Sequence, residues 1–348
     1  MERRPELGNR ILLDASLRPS RLLDIPAYTE AAQQAGFDGL WSSEVDHDPF
    51  LQLALAATAA SKLDLGTAIA LSFTRSPMEL AYTAWDLAAM TEGRFILGLG
   101  TQVKAHNERR FSVPWDAPLP RLREVIESLR AIWHSWRTGE RLNFRGQHYT
   151  FTLMTPFFTP SRHDFDIPIY IAGVNTGLCS LAGESCDGFH IHPLNSAEYI
   201  REVVRPAIQR GADSAGRSSD EITLSASVFV VTGKDEGHTG TLRAFVRQQI
   251  SFYASTPSYR VIFRTHGWED VAEELSSLAA RKKWSDMPGL ISDEMIETFA
   301  IVAPPEEVGR KALDRYAGLV DRITFYLPFE PGTFDELWTP TLRAFAAS

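Results

Sequence analysis

Short apolar blocks and stretches of helical spacing alternate along the chain. Residues 10–17 (RILLDASL) have the length of a strand. Ile25, Tyr28, Ala32 and Ala35 then recur on one helix face, with Asp24 as a candidate cap and Gly36 as terminator. Residues 37–43 (FDGLWSS) repeat the unit, followed by an acidic turn and an alanine- and leucine-rich helix starting near Pro49. A third strand, 63–71 (LDLGTAIAL), precedes a capping box of Ser76, Pro77 and Glu79, whose helix ends at Gly93. Residues 95–100 (FILGLG) form a fourth strand. The helix after it carries Leu122, Val125, Ile126, Leu129, Ile132, Trp133 and Trp136 at a period of 3.6.

Residues 140–166 break the rhythm with aromatic, polar and proline-containing sequence, an insertion with room for one small hairpin. Strands then resume at 167–172 (IPIYIA), 188–192 (GFHIH), 222–231 (ITLSASVFVV) and 322–327 (RITFYL). Pro206 is expected to kink or end the sixth helix, and 334–347 supply the last one. Within 233–300 the polar stretches 255–259 and 282–288 fit either an ordered lid or a mobile loop. Eight apolar strands, each alternating with a helix, describe a parallel sheet buried on both faces. At this count the sheet closes, so the expectation is one α/β domain over 1–348, a (β/α)8 TIM barrel with insertions. A doubly wound open sheet is the competitor. It lacks support, because Ser16-Leu17-Arg18-Pro19 is no glycine-rich phosphate loop and Gly98-Leu99-Gly100 is only a fragment of one.

A composition of 44% hydrophobic and 23% charged residues over 348 positions supports a large core, and a formal charge of -9 argues against nucleic acid or anionic lipid as partner. Residues 1–8 are charged and lack the apolar stretch of a secretory signal. No run approaches the ~20 apolar residues of a membrane helix, so a cytoplasmic location is expected. Cys179 and Cys186 form neither a disulfide framework nor a zinc pattern and read as packed thiols.

In such a barrel, chemistry sits where strands end. After strand two come Glu44, Asp46, His47 and Asp48, suited to proton transfer, or else a solvated turn in which Asp48 caps a helix. After strand four, Gly100, Thr101, Gln102, Lys104, His106 and Asn107 offer hydrogen bonds behind a glycine that admits a planar ligand. After strand five, Gly173, Val174 and Asn175 lead into a helix whose start serves equally as a phosphate site or an ordinary cap. His190 and His192 share one face of strand six. A metal pair would need more ligands, and the first strand holds Asp14-Ala15-Ser16, so no metal is expected and His192 is read as a polar neighbour of a cofactor phosphate.

The stretches FDGLWSSE, LGTAIAL with RSPMELA, TEGRFILGLGTQ, LNFRGQHYTF, IPIYIAG and CDGFHIHP run through most of the chain in order. Together they resemble the luciferase-like monooxygenase superfamily. The pattern E-x-x-x-D-P-F from Glu44 to Phe50 is similar to its F420-dependent oxidoreductase branch of actinobacterial type. The resemblance implies a deazaflavin ring against a non-prolyl cis peptide at Ala68–Ile69, flanked by Gly100, Thr101 and Gln102. It implies Glu44 near the reactive edge, a phosphate at Gly173, Val174 and Asn175 with His192 close by, and a homodimer acting on a small molecule. Proton transfer falls to Glu44, Asp46, His47 or His106, with catalytic roles expected for Glu44, His47 and His106. Lys104, Arg109 and Arg110 would line a groove for the anionic cofactor tail, and the loops at Trp115 and Phe157–Phe158 would cover the open ring face. Val45 and Val103 replace the histidine and glutamate of the sugar-phosphate dehydrogenases, which disfavours a sugar phosphate. An FMN-dependent monooxygenase with a reductase partner and a catalytically silent flavin-binding barrel are the alternatives.

Overall fold

Eight parallel strands close on themselves in the computed structural model, which describes residues 10–18 and 21–348. The charged stretch 1–8 and Pro19 of the first turn lie outside the described residues. The strands are β1 (Leu12–Leu17), β2 (Gly39–Ser42), β3 (Asp64–Thr67), β4 (Phe95–Gly100), β5 (Ile169–Gly173), β6 (Gly188–Ile191), β7 (Thr223–Val231) and β8 (Arg322–Phe325). Each pairs with the next and β8 returns to β1, which makes the expected (β/α)8 barrel.

Side chains alternate along a strand, so each strand has a helix-facing row and an axial row. Leu13, Ala15 and Leu17 of β1 join the apolar layer packed under the helices. Asp14 instead points to the axis, where Arg322 donates to it from Nε (2.8 Å) and Nη2 (2.7 Å), and Trp41 Nε1 donates at 2.9 Å. Arg322 also reaches Asp64 at 2.9 Å, so the barrel floor is a fully paired charge cluster. Gly39 is required beside it, because a Cβ there would lie 2.6 Å from both Asp14 and Arg322.

Helices α1 (Ile25–Ala35), α2 (Pro49–Ala57), α3 (Pro77–Met90), α4 (Lys104–Arg110), α5 (Pro118–Thr138) and α6 (Thr176–Ser185) follow the first five strands. Gly36 ends α1 in the left-handed region at φ 102°, as its position predicts. Asp24 does not cap it. Its own backbone is already helical, and no side-chain cap bond forms. Asp48 caps α2 by accepting from Phe50 N and Leu51 N, and Ser76 caps α3 through Met78 N.

The hairpin expected in the insertion is present, with Phe144–Arg145 against Thr150–Phe151. Pro206 does not end its helix. A π turn at Ile200–Val204 absorbs the irregularity, and α7 (Arg205–Ser214) continues beyond it. The segment left open between 233 and 300 is ordered and mainly helical: α8 (Glu236–Ala254), then Arg260–Thr265, Glu269–Ala280 and Asp293–Phe299. A short strand that the sequence pattern did not disclose, Ala300–Val302, extends the sheet beside the end of β7. No helix among the described residues is long and apolar enough to cross a membrane.

Candidate active site

Above the charge cluster, Trp41, Ile96 and Tyr170 pack across the barrel and separate its floor from a cavity of roughly 1110 Å³. The cavity opens at the carboxyl ends of the strands, where loop residues converge without interrupting the sheet. His190 lies at its base, its ring centroid 5.0 Å from Trp41 and 5.3 Å from Tyr170. Burial, reinforced by the nearby Arg322 charge, lowers its pKa to about 3. The ring is therefore neutral; the Thr67 backbone beside it acts in the opposite sense, and Nε2 makes no hydrogen bond of good geometry among the described residues. Gln52 Oε1 is likewise buried, unpartnered and part of the cavity lining.

The wall from strand three carries a cis peptide between Ala68 and Ile69, at the position the resemblance implies. Ala68 N donates to Ser42 O at 2.8 Å and Glu44 N donates to Ile69 O at 3.2 Å, which ties this wall to the end of β2. After the break, Ala70–Leu71 pairs with Leu99 and Gly100 of β4.

The next loop corrects an expectation. Glu44 does not line the cavity. Its Oε2 accepts from Leu71 N at 2.8 Å and from Arg75 Nη1 at 2.7 Å, while Arg75 Nη2 holds Asp48 at 2.6 Å. With the carboxylate engaged by Leu71 and Arg75, Ser43, Val45, Asp46 and His47 are the loop residues that line the cavity. Raised by its two carboxylate partners against the effect of burial, the Arg75 pKa lies above its usual value. Arg75 was not singled out from the sequence, although its place just before the capping box was visible.

At the end of β4, Gly100, Thr101 and Gln102 line the cavity. Gln102 sits in the left-handed region at φ 58°. Asn107 is the buried anchor of this loop, its amide donating to Thr101 O at 2.9 Å and Val103 O at 3.2 Å. His106, one residue earlier on α4, is exposed and lies away from the cavity. Lys104 reaches the rim, but Arg109 and Arg110 do not line it; Arg110 donates instead to Val45 O.

Gly173, Val174 and Asn175 at the end of β5 also contribute to the lining. Asn175 caps α6, its Oδ1 accepting from Leu178 N at 3.0 Å. The N–H groups of Thr176 and Gly177 have no protein acceptor among the described residues, so the helix start keeps two donors. His192 ends the β6 row. Leu194 N can only donate, so the 3.1 Å contact makes Nδ1 the acceptor and leaves the imidazole proton on Nε2. Burial lowers the His192 pKa to about 3.

The cavity therefore gathers His47, Ala68, Ile69, Gly100, Thr101, Gln102, Gly173, Val174, Asn175 and His192, and leaves Glu44 and His106 outside. Trp115 lines it, edge-on to Phe73, whereas Phe157 and Phe158 are exposed on the insertion and do not cover it. Tyr253 and Tyr259, from the segment whose course the sequence left open, complete the wall with Tyr326. Among the described residues, no group of three or more His, Cys, Asp or Glu side chains is arranged to hold a metal. Cys179 and Cys186 are buried free thiols, and burial raises the Cys179 pKa to about 12.

Comparison with known proteins shows the family. The model of a family described as luciferase-like monooxygenase matches residues 10–322. An uncharacterized protein of Mycobacterium tuberculosis is 43% identical over 91% of this chain and 93% of its own. An F420-dependent glucose-6-phosphate dehydrogenase of Intrasporangium calvum is 28% identical over 76% of this chain and 80% of its own. The solved coenzyme F420-dependent tetrahydromethanopterin reductase of Methanopyrus kandleri superposes with a TM-score of 0.76 at 22% identity, covering 96% of this chain and 97% of that one.

Proposed function

Because the chain belongs to the luciferase-like monooxygenase family, we propose that it is an oxidoreductase that uses the deazaflavin F420 to exchange a hydride with a small organic substrate. The observation that carries this reading is convergence. Residues from the ends of strands three to six, chosen from the sequence for cofactor contact, meet in one cavity large enough for a tricyclic ring and its side chain. The F420 dependence of the Intrasporangium relative supports F420 over FMN.

The residues present fit such a group. Ala68 and Ile69 offer a flat backbone wall, Gly100 to Gln102 a second edge, and the free N–H groups at the start of α6 a place for a phosphate. Gln52 and His190 add buried polar side chains to the lining. When bound, F420 supplies the hydride chemistry. His47, half-buried at the rim, is the side chain we assign to proton exchange, in place of Glu44 and His106. Glu44 positions the loop that carries His47. By resemblance, the enzyme acts as a cytoplasmic homodimer.

Asn175→Asp tests the cofactor assignment. Aspartate caps a helix as well as asparagine, so the fold should hold, but it adds a negative charge where the phosphate is assigned. F420 should bind at least about tenfold more weakly, roughly 1.4 kcal/mol. Unchanged affinity would remove the phosphate from this position.

A further inference from the structure

We propose that Tyr253 and Tyr326 form the binding site for a substrate oxygen, and that the substrate is an uncharged carbonyl compound or alcohol with an apolar body. This rests on the oxidoreductase reading above. Tyr326 follows β8 and Tyr253 lies in the last turn of α8, so the fold brings together residues 73 positions apart, with their phenol oxygens 3.0 Å from each other. Both rings line the cavity and are half-buried.

One phenol donates to the other, and a hydroxyl that accepts a hydrogen bond still has its own proton to give. Neither oxygen has a second hydrogen-bond partner among the described residues. The pair therefore keeps one O–H for a ligand. Burial and the neighbouring phenol raise the Tyr253 pKa above its ordinary value, which keeps the group protonated and a donor.

The surroundings define the rest of the ligand. Phe245 stacks on Tyr326 at 6.3 Å, Tyr259 stacks on Tyr253 at 5.9 Å, and Leu242 and Leu327 complete an apolar wall. His192 stands edge-on to Tyr253 at 4.4 Å and is neutral. The charged lining residues Arg18, Asp46 and Lys104 are exposed at the mouth. A carboxylate or phosphate placed at the phenols would lose water with only the exposed Arg18 and Lys104 as lining cations, whereas a neutral carbonyl oxygen needs only the single donor on offer.

The test uses cofactor-free protein and the dye trans-4-(dimethylamino)cinnamaldehyde, whose visible band moves to the red when its carbonyl accepts a hydrogen bond. Measured against the dye bound to the Tyr253→Phe/Tyr326→Phe double variant, the dye bound to wild type should absorb further to the red. Tyr326→Phe and Tyr253→Phe should each reduce the shift, and the double variant should also weaken binding about tenfold. Cinnamate, the anionic counterpart, should bind at least about tenfold more weakly than cinnamaldehyde. A purely structural pair would lower the melting temperature in the variants and leave the dye band where it was. Failure of wild type to bind the dye, an unshifted band, or equal affinity for cinnamate would overturn the proposal. The readout needs no F420, so a red shift in a protein that does not bind F420 would refute the cofactor reading and leave this one standing.

Discussion

Arg75 holds Glu44 at 2.7 Å while its other terminal nitrogen holds Asp48 at 2.6 Å, so one guanidinium clamps both ends of the loop after β2 to the start of α3. That loop presents Asp46 and His47 to the cavity. Arg75→Ala strands a carboxylate that is only 10% exposed and should cost about 1–3 kcal/mol of stability. It should also weaken cofactor binding by freeing the loop. Urea unfolding measures the first effect, and a loss below about 0.5 kcal/mol would show the clamp to be idle.

The Asp14–Arg322 pair argues for a larger effect. Both side chains are buried, at 0% and 5% exposure, and they complete each other through two hydrogen bonds. Arg322→Ala leaves Asp14 as an uncompensated charge inside the barrel, and the expected cost is about 3–5 kcal/mol. Asp14→Asn combined with Arg322→Met should cost clearly less, because no fully buried charge is stranded and only Asp64, at 16% exposure, loses its guanidinium. Equal losses in the single and double variants by chemical denaturation would contradict this account of the floor.

The barrel was readable because its helix-facing rows are apolar: Leu13, Ala15 and Leu17, or Ile169 and Ile171, make strand-length runs that no solvent-exposed sheet would carry. Most of the cavity wall was readable for a related reason, since strand ends fix where Gly100 to Gln102 and Gly173 to Asn175 must lie. What sequence could not show is direction. Glu44 and His106 belong to loops whose neighbouring residues line the cavity, but Arg75 engages the first and α4 carries the second to the surface. The phenol pair was hidden more deeply, because Tyr253 and Tyr326 meet only through the docking of α8, a contact with no local signature.

His190 makes stability depend on pH. Its folded pKa lies near 3, below the ordinary value of 6.5, so the unfolded chain binds a proton that the native state refuses. Stability should therefore fall as pH drops below 6.5, by about 1.4 kcal/mol from this residue at pH 5.5, and the penalty stops growing near pH 3. His190→Phe should remove that share of the decline. Denaturant midpoints of both proteins at pH 7.5 and 5.5 would reveal it, and parallel declines would mean that His190 takes up its proton without unfolding.

Competitive equilibrium titration of the purified protein with F420 and with FMN, followed by tryptophan quenching and cofactor fluorescence, tests the cofactor reading most directly. F420 should bind at least about tenfold more tightly than FMN, with quenching from Trp41 and Trp115 at the cavity. Tighter binding of FMN would contradict the account and assign the cavity to oxygen-dependent chemistry with a reductase partner.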